Sequence, residues 1–201
     1  MRRRHQVTLY IVAEPALGRD APRSLSPAWQ ISFVYPEGPL DAEAVAVDTA
    51  NERVLVLSKR TIPARLYELP LRPSQTGSVV TARHIATLDS LPQPSARDLQ
   101  RALPQRSWHW QPTGMDLAPD NRAAVILTYR AVYYFARNKA QSWSQALQAP
   151  PLRLDLGGNR HAESVAISRD GNTVFVTVEG RNPPLLRFDR QPRTDLPRPP
   201  Q

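Results

Sequence analysis

One hairpin-like pattern occurs three times in the chain, and this repeat constrains the fold more strongly than any other feature. The copies occupy residues 41–59, 111–129 and 161–179 and align without gaps. Each has a short alternating segment, a polar turn and a second, more apolar segment: "EAVAVD" and "VLVLS", then "TGMDLA" and "AVILTY", then "ESVAIS" and "VFVTVE". Alternation with period two, β-branched residues and a turn rich in Asp, Asn and Gly predict a β-hairpin. The chain therefore uses one hairpin module three times.

Further strand-like segments surround the three hairpins. A third strand is predicted at "ARLYELPL", "AVYYFARN" and "PLLRFDRQ", and a fourth at "ARHIATLDSL" and "LRLDLG". Near the start of the chain, "VTLYIVAEP" and "WQISFVYPEG" resemble a third and a fourth strand, which makes 13 strands. Units of four antiparallel strands at spacings near 50 residues are typical of β-propeller blades, and a closed ring needs about four blades. The predicted fold is all-β: an incomplete β-propeller of about three to four blades of four antiparallel strands.

The predicted division of the chain follows from these strands. Residues 1–190 form the partial propeller, and residues 191–201, rich in proline and arginine, form a disordered tail. The parts of the propeller are a blade remnant at 7–37, a blade at 41–90, an insertion at 91–110, a blade at 111–156 and a partial blade at 161–190. Within the insertion, "SARDLQRAL" has an N-cap serine and leucines at helical spacing, which predicts a short helix.

Composition narrows the functional classes. The chain has no cysteine, which excludes disulfides and thiol chemistry. Its net charge of +8 comes from arginines scattered along the chain, which is typical of a solvated surface and does not favour a nucleic-acid partner. No apolar run approaches the roughly 20 residues of a membrane-spanning helix, so no transmembrane segment is expected. Neither a G-x-S-x-G elbow nor a phosphate-binding glycine loop is present, so a serine nucleophile has no sequence support.

Acidic residues recur at the start of the repeat. In a propeller the first strands line the central channel, and the loops that enter them meet at one mouth. Glu43 and Glu163 are equivalent under the repeat, with Thr113 in the middle copy. Carboxylates gathered there would hold a hard cation such as calcium, or would support hydrolysis with a bound water. The alternative is that Glu43 and Glu163 accept hydrogen bonds from a neighbouring blade and only join blades. The candidate metal ligands are Asp41, Glu43, Asp116 and Glu163.

A second set of polar residues ends the second strand of each copy. The equivalent residues are Lys59, Tyr129 and Glu179, and each is followed closely by an arginine: Arg60, Arg130 and Arg181. Guanidinium groups bind phosphate or carboxylate through two hydrogen bonds, so arginines from several blades at one mouth would suit an anionic ligand. The alternative is that Glu163 or Glu179 forms an ion pair with an arginine of an adjacent blade.

Two tryptophans flank a histidine in the "WHW" of the insertion. In an extended segment Trp108 and Trp110 lie on one face and His109 on the other. Exposed aromatic rings would bind a sugar, a base or a partner protein. The alternative is that they cover the side of the propeller.

The segments "DAEAVAVD", "RVLVLSKR", "TGMDLAPDNR" and "ESVAISRDGNTVFVTVEG" resemble bacterial β-propeller proteins without an assigned activity. Those proteins are similar to six-bladed phytase-like and esterase-like propellers, and the resemblance covers nearly all of residues 7–190. In such relatives an Asp-rich segment of upstream blades precedes a stretch like "RRRHQVTLYIVAEP". The resemblance implies an N-terminally truncated chain. A full-length form with upstream blades and a signal peptide is expected to be periplasmic or extracellular, and a chain that starts at Met1 is expected to be cytoplasmic.

The sequence therefore predicts a β-propeller module that presents a surface for a small anionic ligand or a protein at the channel mouth. The alternative is a calcium-dependent hydrolase of phosphate esters or similar anionic esters, inactive if truncated. Unpaired strands at both ends also predict self-association, because their backbone donors and acceptors can pair with another chain.

Overall fold

A computed structural model of the chain describes residues 5–15, 18, 24–74, 77–100, 109–158 and 161–191. The strands in this part of the chain are β1 (Val7–Ile11), β2 (Trp29–Val34), β3 (Ala42–Asp48), β4 (Arg53–Ser58), β5 (Ala64–Pro70), β6 (Val79–Thr81), β7 (Arg83–Leu88), β8 (Pro112–Leu117), β9 (Ala123–Thr128), β10 (Ala131–Ala136), β11 (Leu152–Asp155), β12 (Ala162–Ile167), β13 (Thr173–Val178) and β14 (Leu185–Asp189). Two short helices are α1 (Ala96–Gln100) and α2 (Trp143–Ala146). Neither these nor any other helix in the described ranges has the length and apolar character needed to cross a membrane. The tail predicted to be disordered lies outside the described residues from position 192 onward.

The strands form four separate sheets. The first contains β1, β2 and β6; the second β3, β4, β5 and β7; the third β8 to β11; and the fourth β12 to β14. Neighbouring strands are antiparallel except for β2 and β6. All 13 strands expected from the sequence are present, which confirms the all-β class and the repeated hairpin. Among the described residues a hydrophobic core lies between each consecutive pair of sheets but not between the fourth and the first, so the four sheets form an open arc and not a closed ring.

Strand β6 was not predicted. It lies in the connection between β5 and β7, leaves the second sheet, and pairs in parallel with β2, where Val79 is opposite Ser32. The amide of Ala82 continues this contact by donating to the carbonyl of Val34 at 2.9 Å. The connection thus joins the first sheet to the second. A strand of three residues is too short to show a periodic pattern.

The interior sheets bury both of their faces, because a neighbouring sheet covers each side. In β4, Leu55 and Leu57 pack in the core shared with the third sheet. Val54 and Val56, on the other face, pack in the core shared with the first sheet. Successive side chains of a strand point to opposite faces, so a strand covered on both sides is apolar throughout.

Strand β9 of the third sheet shows the same arrangement. Ile126 packs towards the second sheet, whereas Val125 and Leu127 pack towards the fourth. One core therefore lies between each successive pair of sheets. Sheets stacked face to face in chain order, each built from consecutive strands, are the packing of propeller blades.

The first strands of three sheets adjoin one another: β3 lies against β8, and β8 against β12. The hydroxyl of Thr113 donates to the carbonyl of Ala162 at 2.7 Å, which joins β8 to β12. The two strands also approach closely at Gly114, where a Cβ would lie 3.2 Å from Cγ1 of Val165. These first strands therefore form the innermost layer of the arc.

All three first strands carry a β-bulge at the equivalent position. The register shifts fall at Ala42/Ala44, Pro112/Gly114 and Ala162/Ser164. The residues that the register skips are Glu43, Thr113 and Glu163. A bulge bends its strand and redirects the side chain of the extra residue. One side chain per blade is thus redirected at the same position of the repeat. The sequence alignment identified these positions as equivalent, but it did not show the bulge.

The short helix predicted in the insertion is confirmed over the part that the structure describes. Helix α1 follows Ser95, whose hydroxyl accepts from the amide of Asp98 at 3.2 Å, while the amide of Ser95 donates to the Asp98 carboxylate at 3.0 Å. Helix α2 was not predicted. Ser142 and Gln145 form a capping box at its start, and the letters "SWSQ" carry that pattern.

Candidate binding site at the channel mouth

A buried lysine joins the second and third sheets where the innermost strands begin. Lys59 is only 4% exposed, and its ammonium donates to the carboxylate of Glu43 and to the hydroxyl of Tyr129, the latter at 2.7 Å. The Nζ atom also lies 5.0 Å from the centroid of the Tyr129 ring. Lys59 and Tyr129 are equivalent under the repeat, so the same position in adjacent blades forms a contact between the blades.

The contacts continue into the fourth sheet. The ring of Tyr129 packs edge to face against His161, with 5.7 Å between centroids. The carbonyl of His161 accepts from the amide of Glu179 at 2.8 Å, just as the carbonyl of Asp41 accepts from the amide of Lys59 at 2.7 Å. Three consecutive sheets therefore contribute to one polar group, the mouth cluster: Glu43, Lys59, Tyr129, His161 and Glu163.

Glu163 is the carboxylate of the cluster whose charge is least well compensated. Partial burial raises the pKa of Glu163, and the carboxylates of Glu43 and Glu179 raise it further, whereas Lys59 and His161 lower it. Glu43 is thus close enough to Glu163 to influence its charge. Within the described residues Glu163 takes part in no ion pair.

Lys59 remains a cation despite its burial. Burial alone lowers the pKa of Lys59, but the hydrogen bonds to Glu43 and Tyr129 outweigh this effect and raise it above the ordinary lysine value. The fixed ammonium compensates the charge of Glu43. One of the two equivalent glutamates is therefore already neutralised by the protein itself.

The arginines expected at the mouth fall into two groups. Arg60 pairs with Asp41, with 2.5 Å between Nε and Oδ2, within the same sheet. Arg130 and Arg181 are exposed, and within the described residues their side chains have no ion-pair partner. Glu179 is also exposed and, within the same residues, forms no ion pair with an arginine of an adjacent blade. The ion pairs at the mouth thus form within the second sheet.

Asp116 lies three residues beyond Thr113 along β8, roughly 10 Å farther from the mouth at the rise of a β-strand. Its carboxylate accepts from the amide of Ile167 in the next sheet at 2.7 Å and from the amide of Leu117 at 2.9 Å. Burial raises the pKa of Asp116, and the two amides offset part of that rise. Asp116 therefore joins two blades through the backbone, the role that the sequence offered as an alternative for the glutamates.

The four carboxylates considered as calcium ligands have different partners. Asp41 pairs with Arg60, Glu43 with Lys59, and Asp116 with two amides, while Glu163 stands beside the other carboxylates. Across the described ranges, no three histidine, cysteine, aspartate or glutamate side chains are grouped so that they could hold a metal ion.

The most extensively bonded carboxylate was not singled out by sequence reasoning. Asp48, at the turn end of β3, is 1% exposed. It accepts from the indole of Trp143 at 2.8 Å, from the side chain of Asn121 at 3.1 Å, and from the amide and side chain of Asn51 at 3.2 and 2.7 Å. It thus fastens the second sheet to the third at the end opposite the mouth. The middle and last copies have Ala118 and Ser168 at this position, so the repeat gives no signal for it.

The aromatic residues of the insertion are described only in part. Trp108 lies outside the described residues. Trp110 is half-buried, and within the described residues its indole N–H is buried without a hydrogen-bond partner. The proposed ligand-gripping role of the two tryptophans therefore stays a prediction.

Face-to-face sheets in chain order, with bulged first strands that meet at a polar mouth, define a β-propeller-type protein. No family model and no curated protein matches the chain. Solved structures of similar fold include hydrazine synthase from Kuenenia stuttgartiensis, at 12% identity and a TM-score of 0.45, matching 92% of this chain and 40% of that one. TolB from Acinetobacter baumannii has 13% identity and a TM-score of 0.41, and the match covers 75% of this chain and 30% of TolB. A luciferin-regenerating enzyme has 12% identity and a TM-score of 0.45, and the match covers 81% of this chain and 48% of that enzyme.

The chain spans less than half the length of each of these three proteins. They are β-propeller-like, and their likeness to this chain concerns the fold alone. The phytase-like character suggested by the sequence finds no support among them.

Replacing Glu163 with glutamine is expected to raise the melting temperature at about pH 7. Because the pKa of Glu163 is raised in the folded protein, the stability linked to this group is greatest below its ordinary pKa of 4.5 and falls as the pH rises through the raised value. The neutral amide avoids that loss. The gain should shrink as the pH falls towards 4.5. Thermal melts across this range measure it, with Glu14→Gln on the exposed surface as the unaffected control. A constant gain at every pH would disprove the electrostatic explanation.

Proposed function

We propose that the protein is a non-catalytic binding module whose mouth takes a small ligand that carries a phosphate or carboxylate group. The observation that carries this proposal is the division of charged groups at the mouth. Asp41, Glu43 and Lys59 are engaged with partners inside the protein. Arg130 and Arg181 are exposed and, like the carboxylates of Glu163 and Glu179, have no ion-pair partner among the described residues.

The internal pairs fix the backbone next to the exposed arginines, since Arg130 directly follows Tyr129 and Arg181 lies two residues after Glu179. The bonds of Lys59 to Glu43 and Tyr129, and the ring contact of Tyr129 with His161, connect three sheets. A rigid base lowers the entropy lost when a ligand binds. Two guanidinium groups from different blades offer forked donors that match the oxygens of an anion.

The rival function is a calcium-dependent hydrolase of phosphate esters or similar anionic esters. It needs several carboxylates free to coordinate one cation. In the described mouth two of the candidate carboxylates pair with protein cations, which favours binding over hydrolysis. Self-association through open strand edges stays a further prediction for this module.

Titration with inorganic phosphate followed by thermal melting tests the proposal. Phosphate should raise the melting temperature of the wild type. At a hundredfold excess of phosphate over Kd, the added free energy of unfolding is about 2.7 kcal/mol. The double variant Arg130→Gln/Arg181→Gln should lose most of this rise. Arg169→Gln/Arg190→Gln removes the same charge from exposed positions of the fourth sheet and should keep it.

A parallel assay separates the rival. The protein is incubated with calcium and either p-nitrophenyl phosphate or p-nitrophenyl acetate, and release of p-nitrophenol is followed. No calcium-dependent turnover is expected. Turnover that requires calcium and disappears in Glu163→Gln would replace the binding proposal with the hydrolase. A phosphate effect that is equal in both double variants would remove the mouth as its site.

A further inference from the structure

A second polar cleft lies at the opposite end of the second sheet from the mouth. The seven residues of β3 separate the two ends by about 20 Å at the rise of a β-strand. The cleft encloses about 380 Å³, within the size range of small-molecule sites. We call it the turn-side cleft, and its defining residues are Arg53, Leu55, Arg83, Ile85, Arg137 and Trp143.

Positive charge exceeds the negative charge available in this cleft. Three arginines line it, from the start of β4, the start of β7 and the end of β10. Glu68 is shared between Arg53, at 3.8 Å, and Arg83, at 2.5 Å. The other carboxylate, Asp48, is occupied by four donors from Asn51, Asn121 and Trp143. At least one guanidinium charge therefore remains uncompensated among the lining residues.

Arg137 is held in position without an anionic partner. Its Nη1 donates to the carbonyl of Asn121 at 2.8 Å, and its guanidinium lies 4.7 Å from the ring centroid of Trp143. Its Nε–H is buried and has no hydrogen-bond partner within the described residues. A guanidinium fixed against an indole presents its remaining donors at little entropic cost when an acceptor arrives.

The wall of the cleft is mixed, with more polar than apolar surface. Its apolar part comes from Ile85, which is half-buried, and from Leu55 and Trp143, which are 1% and 5% exposed. An apolar patch beside a few fixed polar groups is the usual composition of a small-molecule site. An inorganic anion would leave this patch uncovered, whereas an aromatic ring would cover it.

We propose that the turn-side cleft binds a small aromatic anion. The ring packs against Leu55, Ile85 and Trp143, and its phosphate or carboxylate group accepts from Arg53, Arg83 and Arg137. This site is separate from the mouth and takes a ligand with an apolar body.

Isothermal titration of the full chain with phenyl phosphate and with benzoate tests the proposal and distinguishes the two anionic groups. Binding of at least one probe is expected, and the double variant Arg53→Gln/Arg83→Gln should weaken it by about tenfold or more. The exposed pair Arg169→Gln/Arg190→Gln has the same net charge and should bind as the wild type does. Inorganic phosphate lacks the aromatic ring and benzyl alcohol lacks the anionic group, so each should bind this cleft more weakly than the aromatic anions do.

Three outcomes would overturn the inference. These are an absence of binding by both aromatic probes, equal loss in the two arginine double variants, and loss only in Arg130→Gln/Arg181→Gln. The last would assign the aromatic probes to the mouth and leave the proposed binding function intact. Circular dichroism and thermal melting of each variant show whether it is folded. If the double variant does not fold, Arg83 can be replaced alone, because its side chain is 70% exposed.

Discussion

Replacing Asp48 with alanine is expected to lower the stability of the protein by about 3 kcal/mol, which corresponds to a fall in melting temperature of about 6–12 °C for a chain of this size. The carboxylate accepts four hydrogen bonds from the second and third sheets. Its removal leaves the indole N–H of Trp143 buried without an acceptor, and an unsatisfied buried donor costs about 1–3 kcal/mol by itself.

Two variants show whether the loss has this cause. Asp120→Ala removes an exposed carboxylate from the equivalent turn of the third sheet and should change stability by less than about 0.5 kcal/mol. Asp48→Asn keeps an acceptor for Trp143 but places an amide group opposite the donors of Asn51 and Asn121, so an intermediate loss is expected. Urea denaturation measures all three. A loss in Asp48→Ala no larger than in Asp120→Ala would show that Asp48 does not fasten the sheets together.

The second large effect concerns neighbouring residues of one strand. Ile126→Ala and Leu127→Ala should each lower stability by about 2–5 kcal/mol, although the two side chains point to opposite faces of the third sheet. Each face packs against a different sheet, so each truncation leaves a cavity. Leu185→Ala in β14, where the leucine is 65% exposed, should change stability by less than about 0.5 kcal/mol.

Together, Ile126→Ala and Leu127→Ala distinguish a sheet that is covered on both faces, as in stacked blades, from a sheet that is covered on one face only. If one face of the third sheet were open to solvent, one of the two core truncations would be tolerated like Leu185→Ala. If the urea unfolding midpoints of the two variants shift by comparable amounts, and the dependence of the unfolding free energy on urea concentration is unchanged, both faces of the third sheet are buried. The two adjacent sites should be measured singly, because truncations in contact with shared neighbours do not add.

The strands were predictable because the repeat gives local signals. Alternating segments and polar turns located each hairpin, and the aromatic segments located the strands after them. The two elements that were missed lack such signals. Strand β6 is set by a pairing with a distant strand, and helix α2 has four residues, of which only the capping pair is visible in the sequence.

The candidate site was predictable where it follows the repeat and unpredictable where it depends on the contact between blades. Equivalence predicted that Glu43 and Glu163 share one mouth, and the structure shows that both occupy the bulge position of their strands. That Lys59 is buried between Glu43 and Tyr129 depends on how the second and third sheets stack. Asp48 and the turn-side cleft depend on α2, whose position in space no local pattern specifies.

The arrangement of blades requires the first strands of successive sheets to lie side by side, and disulfide formation between β8 and β12 tests this most directly. The chain has no cysteine, so Gly114→Cys/Val165→Cys introduces the only pair. A Cβ at position 114 would lie 3.2 Å from Cγ1 and 3.6 Å from the amide nitrogen of Val165, a separation that suits a disulfide. We expect mild oxidation of the folded protein to protect both thiols from labelling, as measured by mass spectrometry, while Gly114→Cys/Leu185→Cys stays labelled. Free thiols in the folded Gly114→Cys/Val165→Cys protein would contradict the arrangement of blades and the mouth built upon it.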